Sequence, residues 1–169
     1  MPVYYVNMVD LISPSKKNAA MPREEALRLA IEQFYFAYRA FTAPPDRMLE
    51  QRGLGRVHHR ILYFVGRNPN ISVNALLVML NVSKQALNAP LRQLIEMRLV
   101  AVATAEHDRR VRELTLTAGG AKLEAQLTGT QIKQLQAVFE KAGAGAEAGW
   151  HQVMLAACRT CVTNTSASL

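Results

Sequence analysis

Cysteine is scarce, two residues in 169, and both lie close together at Cys158 and Cys161. A disulfide-stapled secreted scaffold is therefore excluded, and a four-thiolate zinc site lacks its second pair. No apolar run approaches the roughly 20 residues that cross a bilayer. The opening stretch MPVYYVNMVDLISPSKK has no basic start, and Asn7 and Asp10 break its apolar part, so it is a poor signal peptide. The chain reads as soluble and cytoplasmic, with no membrane partner. Glycine is too sparse for a phosphate-binding loop: Gly119-Gly120 and Gly143-x-Gly145 read as helix punctuation. Ser, His and Asp occur, but not at spacings that suggest a catalytic triad. His58 and His59 are neighbours on a helical pattern, so their side chains diverge by about 100° and cannot chelate one ion as an i, i+4 pair could. No catalytic residue, metal or cofactor is assigned, and the chain is read as non-enzymatic.

Half of the residues are hydrophobic and a fifth are charged, a composition of folded domains rather than disordered chains. A chain of this length buries roughly two thirds of its unfolded surface and needs no staple to fold. Lys and Arg number 20 against 13 Asp and Glu, a net charge of +7. The excess is local. Residues 53–113 hold nine basic side chains (Arg56, Arg60, Arg67, Lys84, Arg92, Arg98, Arg109, Arg110, Arg112) and four acidic ones, a net of +5. Each flanking segment nets only +1. A local basic excess is the footprint of a polyanion binder, because neutralised phosphates release counterions; a merely solvated face is the competing reading.

Pro22 opens a helical pattern, with Glu24 and Glu25 at its positive end. Leu27, Ile31, Phe34, Tyr38 and Phe41 follow as one apolar stripe, and Ala43-Pro44-Pro45-Asp46 is expected to end it. A second helix is expected from Arg56 to about Gly66. Ser72 caps a short helix carrying Leu76, Leu77 and Leu80, and Ser83 caps another carrying Leu87, Leu91, Leu94 and Ile95. The period then changes. Residues 99–104 and 111–117 read as two strands joined by the polar tip Glu106-His107-Asp108-Arg109-Arg110. Two more helices follow, broken at Gly143 and Gly145, the last carrying Trp150, Met154, Ala157 and Cys161 on one face.

The expected fold is mainly α with a β-hairpin wing: a winged helix-turn-helix plus N- and C-terminal dimerisation helices. In that architecture the second helix of the helix-turn-helix enters a major groove, and the hairpin tip reaches the adjacent minor groove or the backbone. The outer helices carry longer apolar stripes than a small winged module needs, so they are expected to bury them against a second copy. The divisions read as an N-terminal extension over 1–21, a dimerisation helix and linker over 22–52, the winged unit over 53–117 and C-terminal dimerisation helices over 118–169.

At VSKQALNAPLRQLIEMRLV (82–100) and HDRRVRELTLTAGG (107–120) the chain resembles the MarR family of transcription regulators. Asp108-Arg109-Arg110 matches the family's wing and Leu116-Thr117-Ala118-Gly119-Gly120 its helix opening. The resemblance implies an obligate homodimer on a pseudo-palindromic DNA operator, often answering to small aromatic acids or oxidants, and a repressor is the expected role. The DNA-binding residues implied are Ser83, Lys84, Gln85, Asn88, Arg92, Asp108, Arg109, Arg110 and Arg112. Gln and Asn can pair bidentately with adenine, and Lys can reach guanine or phosphate. Arginines at the wing suit a narrow minor groove. The family's wing aspartate holds an arginine in place, a role that would fall to Asp108.

The sequence departs from the family where Arg98 replaces a frequent Gly and where Pro90 sits inside the recognition helix. A proline there removes one backbone hydrogen bond, and a kink is expected. Ala89 also stands where many relatives carry a larger polar side chain. The family places its effector between the dimer helices and the winged unit, which would gather Tyr35, Tyr38, Arg39, His59, Arg60 and Tyr63 around a small aromatic ligand; ordinary core and interface packing is the favoured reading of these six. Cys158-Arg159-Thr160-Cys161 could serve a thiol redox protein, but small buried residues in a dimer helix are the better reading. A winged helix that binds protein partners is the other alternative.

Overall fold

The computed structural model describes residues 21–165, and side chains as far as residue 159. All of the expected N-terminal extension but Met21, and the side chain of Cys161, lie outside the described residues. Among the described residues six helices and three short strands follow one another: α1 (Arg23–Glu50), α2 (Arg56–Arg67), β1 (Ile71–Ser72), α3 (Val73–Leu80), α4 (Lys84–Glu96), β2 (Val100–Thr104), β3 (Arg112–Leu116), α5 (Ala118–Ala142) and α6 (Ala146–Thr165).

The first helix corrects an expectation. It does not end before Pro44 but runs through both prolines to Glu50. Pro44 cannot donate to the carbonyl of Ala40, four residues back. That carbonyl instead accepts from the Gln134 amide of α5 at 3.2 Å. The last turns are held by burial of Thr42, Pro45 and Leu49. Tertiary packing here overrides the local preference of the Pro-Pro pair.

Both serine caps form. Ser72 Oγ accepts from the Ala75 N–H and Ser83 Oγ from the Ala86 N–H, at 3.1 and 3.2 Å. Between α3 and α4 the chain turns at Asn81, whose left-handed φ of 50° ends α3. The helix α4 continues without a break through Pro90. It ends at Glu96 with Met97 as its cap, and the turn beyond is made by Arg98, which adopts φ 56°, a conformation that favours glycine. The Thr117 hydroxyl holds that turn by donating to the Arg98 carbonyl at 2.7 Å.

The sheet is antiparallel in the order β1–β3–β2. The hairpin strands pair Val102 with Leu114, and Leu114 also pairs with Ile71 of β1, a third strand that a two-residue segment does not advertise in sequence. Gly119 and Gly120 do not precede the next helix but lie in its first turn, after the Thr117 cap. Gly143 and Gly145, both with φ 85°, make the expected break before α6.

The core centres on the winged unit and takes in the end of α1 and the start of α5. Leu49, Ile61, Leu62, Leu76, Leu87, Leu94, Leu114 and Leu127 are fully buried, drawing α1, α2, α3, α4, β3 and α5 together. Each such side chain contributes roughly 1.5–3 kcal/mol relative to exposure. The helix α5 packs against both α1 and α2, and α6 against α5, where the Phe139 and Trp150 rings meet edge to face. The N-terminal half of α1 stays bare: Ile31 is 71% exposed and Phe34 63%.

Candidate nucleic-acid interface

The Ser83 cap sets where α4 starts, and from there Lys84, Gln85 and Asn88 project into solvent in its first turns. Gln85, Asn88 and Arg92 border one open groove together with Ala89, Leu91 and Ile95. The other side of α4 is anchored by buried Leu87 and Leu94, with buried Leu91 at the boundary between the two. The polar residues therefore share an outward face because the leucines occupy the inward one. Arg92 reaches Glu96 at 3.7 Å, an exposed pair worth little, so its guanidinium is available to a stronger partner.

The wing tip is built by backbone bonds: Ala105 N–H donates to the Val111 carbonyl, and Val111 N–H to the Asp108 carbonyl, each at 3.0 Å. Asp108 Oδ1 accepts from the backbone N–H of Arg110 at 2.9 Å. It thus holds the Arg110 main chain, not a guanidinium, and leaves the side chains of Arg109 and Arg110 exposed. Arg112 lies lower on β3, where it donates to Thr104 Oγ1 across the hairpin at 3.2 Å. All nine residues expected on DNA fall on α4 with its Ser83 cap and on the hairpin that follows.

The six effector candidates are only partly brought together. Arg60 donates to the Tyr38 hydroxyl at 3.4 Å. Arg56, which no motif singles out, stacks its guanidinium 5.5 Å from the centre of the same ring and pairs with Asp46 at 2.7 Å. Asp46 holds Arg56 above its ordinary pKa. His59 is half-buried; desolvation lowers its pKa, opposed by the charges of Glu124 and Asp46. Tyr35 and Arg39 form a separate cation–π contact at 5.7 Å along α1. Tyr63 packs edge to face on Phe64 instead. The i, i+4 spacing of Arg56 and Arg60 is the signal that would have found the missing member.

Among the described residues no group of three His, Cys, Asp or Glu could hold a metal ion, and no helix is long and apolar enough to cross a membrane. Cys158 is exposed on the single chain and lies deep inside α6.

A helix-turn-helix backed by a basic hairpin and flanked by long helices defines a winged-helix DNA-binding regulator. The chain belongs to the MarR family, whose family model matches residues 52–111. It is 42% identical over 147 residues to PetP, an HTH-type transcriptional regulator of Rhodobacter capsulatus, covering 87% of this chain and 89% of that one. Among solved structures, a MarR family transcription regulator superimposes with a TM-score of 0.70 at 20% identity, over 85% of this chain and 95% of its own. FabT of Streptococcus pneumoniae, solved in complex with DNA, gives 0.70 at 13% identity over 82% and 99%.

Proposed function

We propose that the chain acts as a homodimeric transcription regulator, a repressor, that inserts α4 into the major groove of a pseudo-palindromic operator and lays its wing tip against the adjacent minor groove or backbone. The observation that carries the reading is the face of α4: Lys84, Gln85, Asn88 and Arg92 are exposed in sequence order on a helix whose other side is locked into the core. Base-reading amides flanked by cations are the chemistry of sequence-specific duplex recognition. FabT, with the same fold, is a precedent for DNA binding by a protein of this shape.

The dimer reading rests on apolar surface. Ile31, Phe34, Tyr35 and Val153 are each more than half exposed, a cost that a second copy would remove. In this scheme residues 22–52 and 118–169 assemble the dimer and residues 53–117 bind DNA. The cluster of Tyr38, Arg56 and Arg60, between the long helix and the winged unit, is where a small aromatic acid would find a ring and two guanidiniums. An effector there would act through its differential affinity for DNA-competent and incompetent states.

Selection of bound duplexes from a random pool tests the proposal. The expected product is a two-fold site whose half-sites lie about one helical turn apart. Gln85→Ala and Asn88→Ala should each cost about 1–3 kcal/mol on the selected duplex and little on a random one. Equal losses on both duplexes would refute readout by α4.

A further inference from the structure

Where α4 passes the end of α1, three hydrogen bonds close a ring. The Gly55 N–H donates to His58 Nδ1 at 3.0 Å. His58 Nε2 meets Gln93 Oε1 at 2.9 Å, and Gln93 Nε2 donates to the Gly53 carbonyl at 3.0 Å. Only one set of proton positions satisfies all three. Nδ1 faces an N–H and must accept, so the imidazole proton sits on Nε2 and donates to Gln93. Turning the Gln93 amide over would set its oxygen against the Gly53 carbonyl and its nitrogen against the imidazole N–H.

The ring ties three elements together. Gly53 and Gly55 belong to the linker between α1 and α2, which folds back on α1 through Gly53 N–H to the Glu50 carbonyl and Leu54 N–H to the Leu49 carbonyl, both at 3.0 Å. His58 stands in the first turn of α2. Gln93 sits one residue past Arg92, about 100° around α4 from it. The apolar contacts of Leu87, Leu91 and Leu94 hold α4 in place but are not directional. Hydrogen bonds are directional, so the ring fixes the rotation of α4 and its distance from the end of α1.

We propose that His58 and Gln93 are positioning residues that clamp the recognition helix to the end of α1 and so set the separation of the two recognition helices in the dimer. The inference rests on the DNA-binding reading above. In a dimer joined through the bare half of α1, any change between α4 and α1 is applied twice, once on each side of the two-fold axis. The clamp therefore governs which half-site spacing the protein accepts, although neither residue touches a base.

Three variants separate this role from simple support of the fold. His58→Asn keeps an acceptor at the place of Nδ1 for the Gly55 N–H and lacks the atom that reaches Gln93. His58→Gln keeps a donor at the place of Nε2 and gives up the bond to Gly55. Gln93→Ala removes the bridge from the other side. Each is measured against the duplex selected by the wild-type protein, against the same duplex with one base pair added or removed between half-sites, and against a random duplex. His58→Asn, which gives up one bond of the ring, should lose about three- to tenfold on the selected duplex, and Gln93→Ala, which gives up two, at least as much. They should bind random duplex as before and discriminate less against altered spacing, while His58→Gln keeps most of the wild-type discrimination. Wild-type affinity and spacing preference in both Gln93→Ala and His58→Asn would overturn the clamp alone. So would equal losses on selected and random duplexes. A wild-type protein that selects no duplex would overturn the clamp and the DNA-binding reading together.

Discussion

Gly120→Ala should destabilise the protein although it places a better helix former in a helix. Gly120 is buried in the first turn of α5, and its N–H donates to the Thr117 hydroxyl at 3.0 Å. A methyl group there would overlap the carbonyl oxygen of Leu99 and stand 2.9 Å from its carbon and 3.3 Å from its Cα. These are backbone atoms, and they cannot swing aside. The Leu99 carbonyl already accepts from the Thr117 N–H at 3.1 Å, and Leu99 N–H is tied to the Leu94 carbonyl at 2.9 Å. Overpacking of this kind costs typically 1–3 kcal/mol, and a rigid neighbour puts it at the upper end. Set against a helix-propensity gain of at most about 1 kcal/mol, the net loss is about 2 kcal/mol. For a chain of this length that lowers Tm by about 4–8 °C. Gly119→Ala is the internal control, because its methyl would meet nothing closer than 3.7 Å. It should leave stability unchanged or raise it slightly. Thermal and urea unfolding at one fixed protomer concentration decide the matter. If Gly120→Ala melts at or above the wild type, or if both variants lose equally, the collision with Leu99 does not control this site.

Arg110→Ala should weaken binding to every duplex and reduce the slope of log affinity against log salt by about one, as filter binding or fluorescence anisotropy across a salt series would reveal. Ile31→Glu puts a charge on the bare stripe of α1 and should shift the protein to a monomer at micromolar concentration; light scattering that still finds a dimer removes α1 from the interface. Burial holds the His59 pKa below its ordinary 6.5, so the unfolded chain takes up the proton first as pH falls. The corresponding stability is complete above that value and declines as pH drops below it, and His59→Gln should flatten the fall of Tm between neutral and mildly acidic pH.

The parts of this molecule written in local chemistry are legible in its sequence. Ser72 and Ser83 cap their helices by the ordinary side-chain route, and the leucines of α4 mark its inward face, so the helix-turn-helix follows from spacing. The hairpin follows from the change of period after Leu99. What escaped is held by partners distant in sequence. The continuation of α1 past Pro44 leans on Gln134, whose amide reaches the Ala40 carbonyl from 94 residues away. The strand β1 exists because Leu114 lies opposite Ile71. His58 and Gln93 look like two unremarkable polar residues until folding sets them 2.9 Å apart. In the candidate interface the residue types were readable, but the reason Asp108 matters was not: it restrains main chain rather than a side chain.

The paired prolines of α1 have a mechanical consequence. Two successive rungs of the helix ladder are missing at Pro44 and Pro45, and one vacated carbonyl is held only by the end of a long amide side chain from another helix. A rod is most compliant where its bonds are fewest, so this helix flexes around residues 40–45 at less expense than elsewhere along its length. On one side of that joint lies the bare stripe, and on the other lies Leu49, sunk in the core of the winged unit. The long helix is therefore two stiff levers meeting at a soft elbow, and a small change of angle there swings the far arm through an arc that grows with its length.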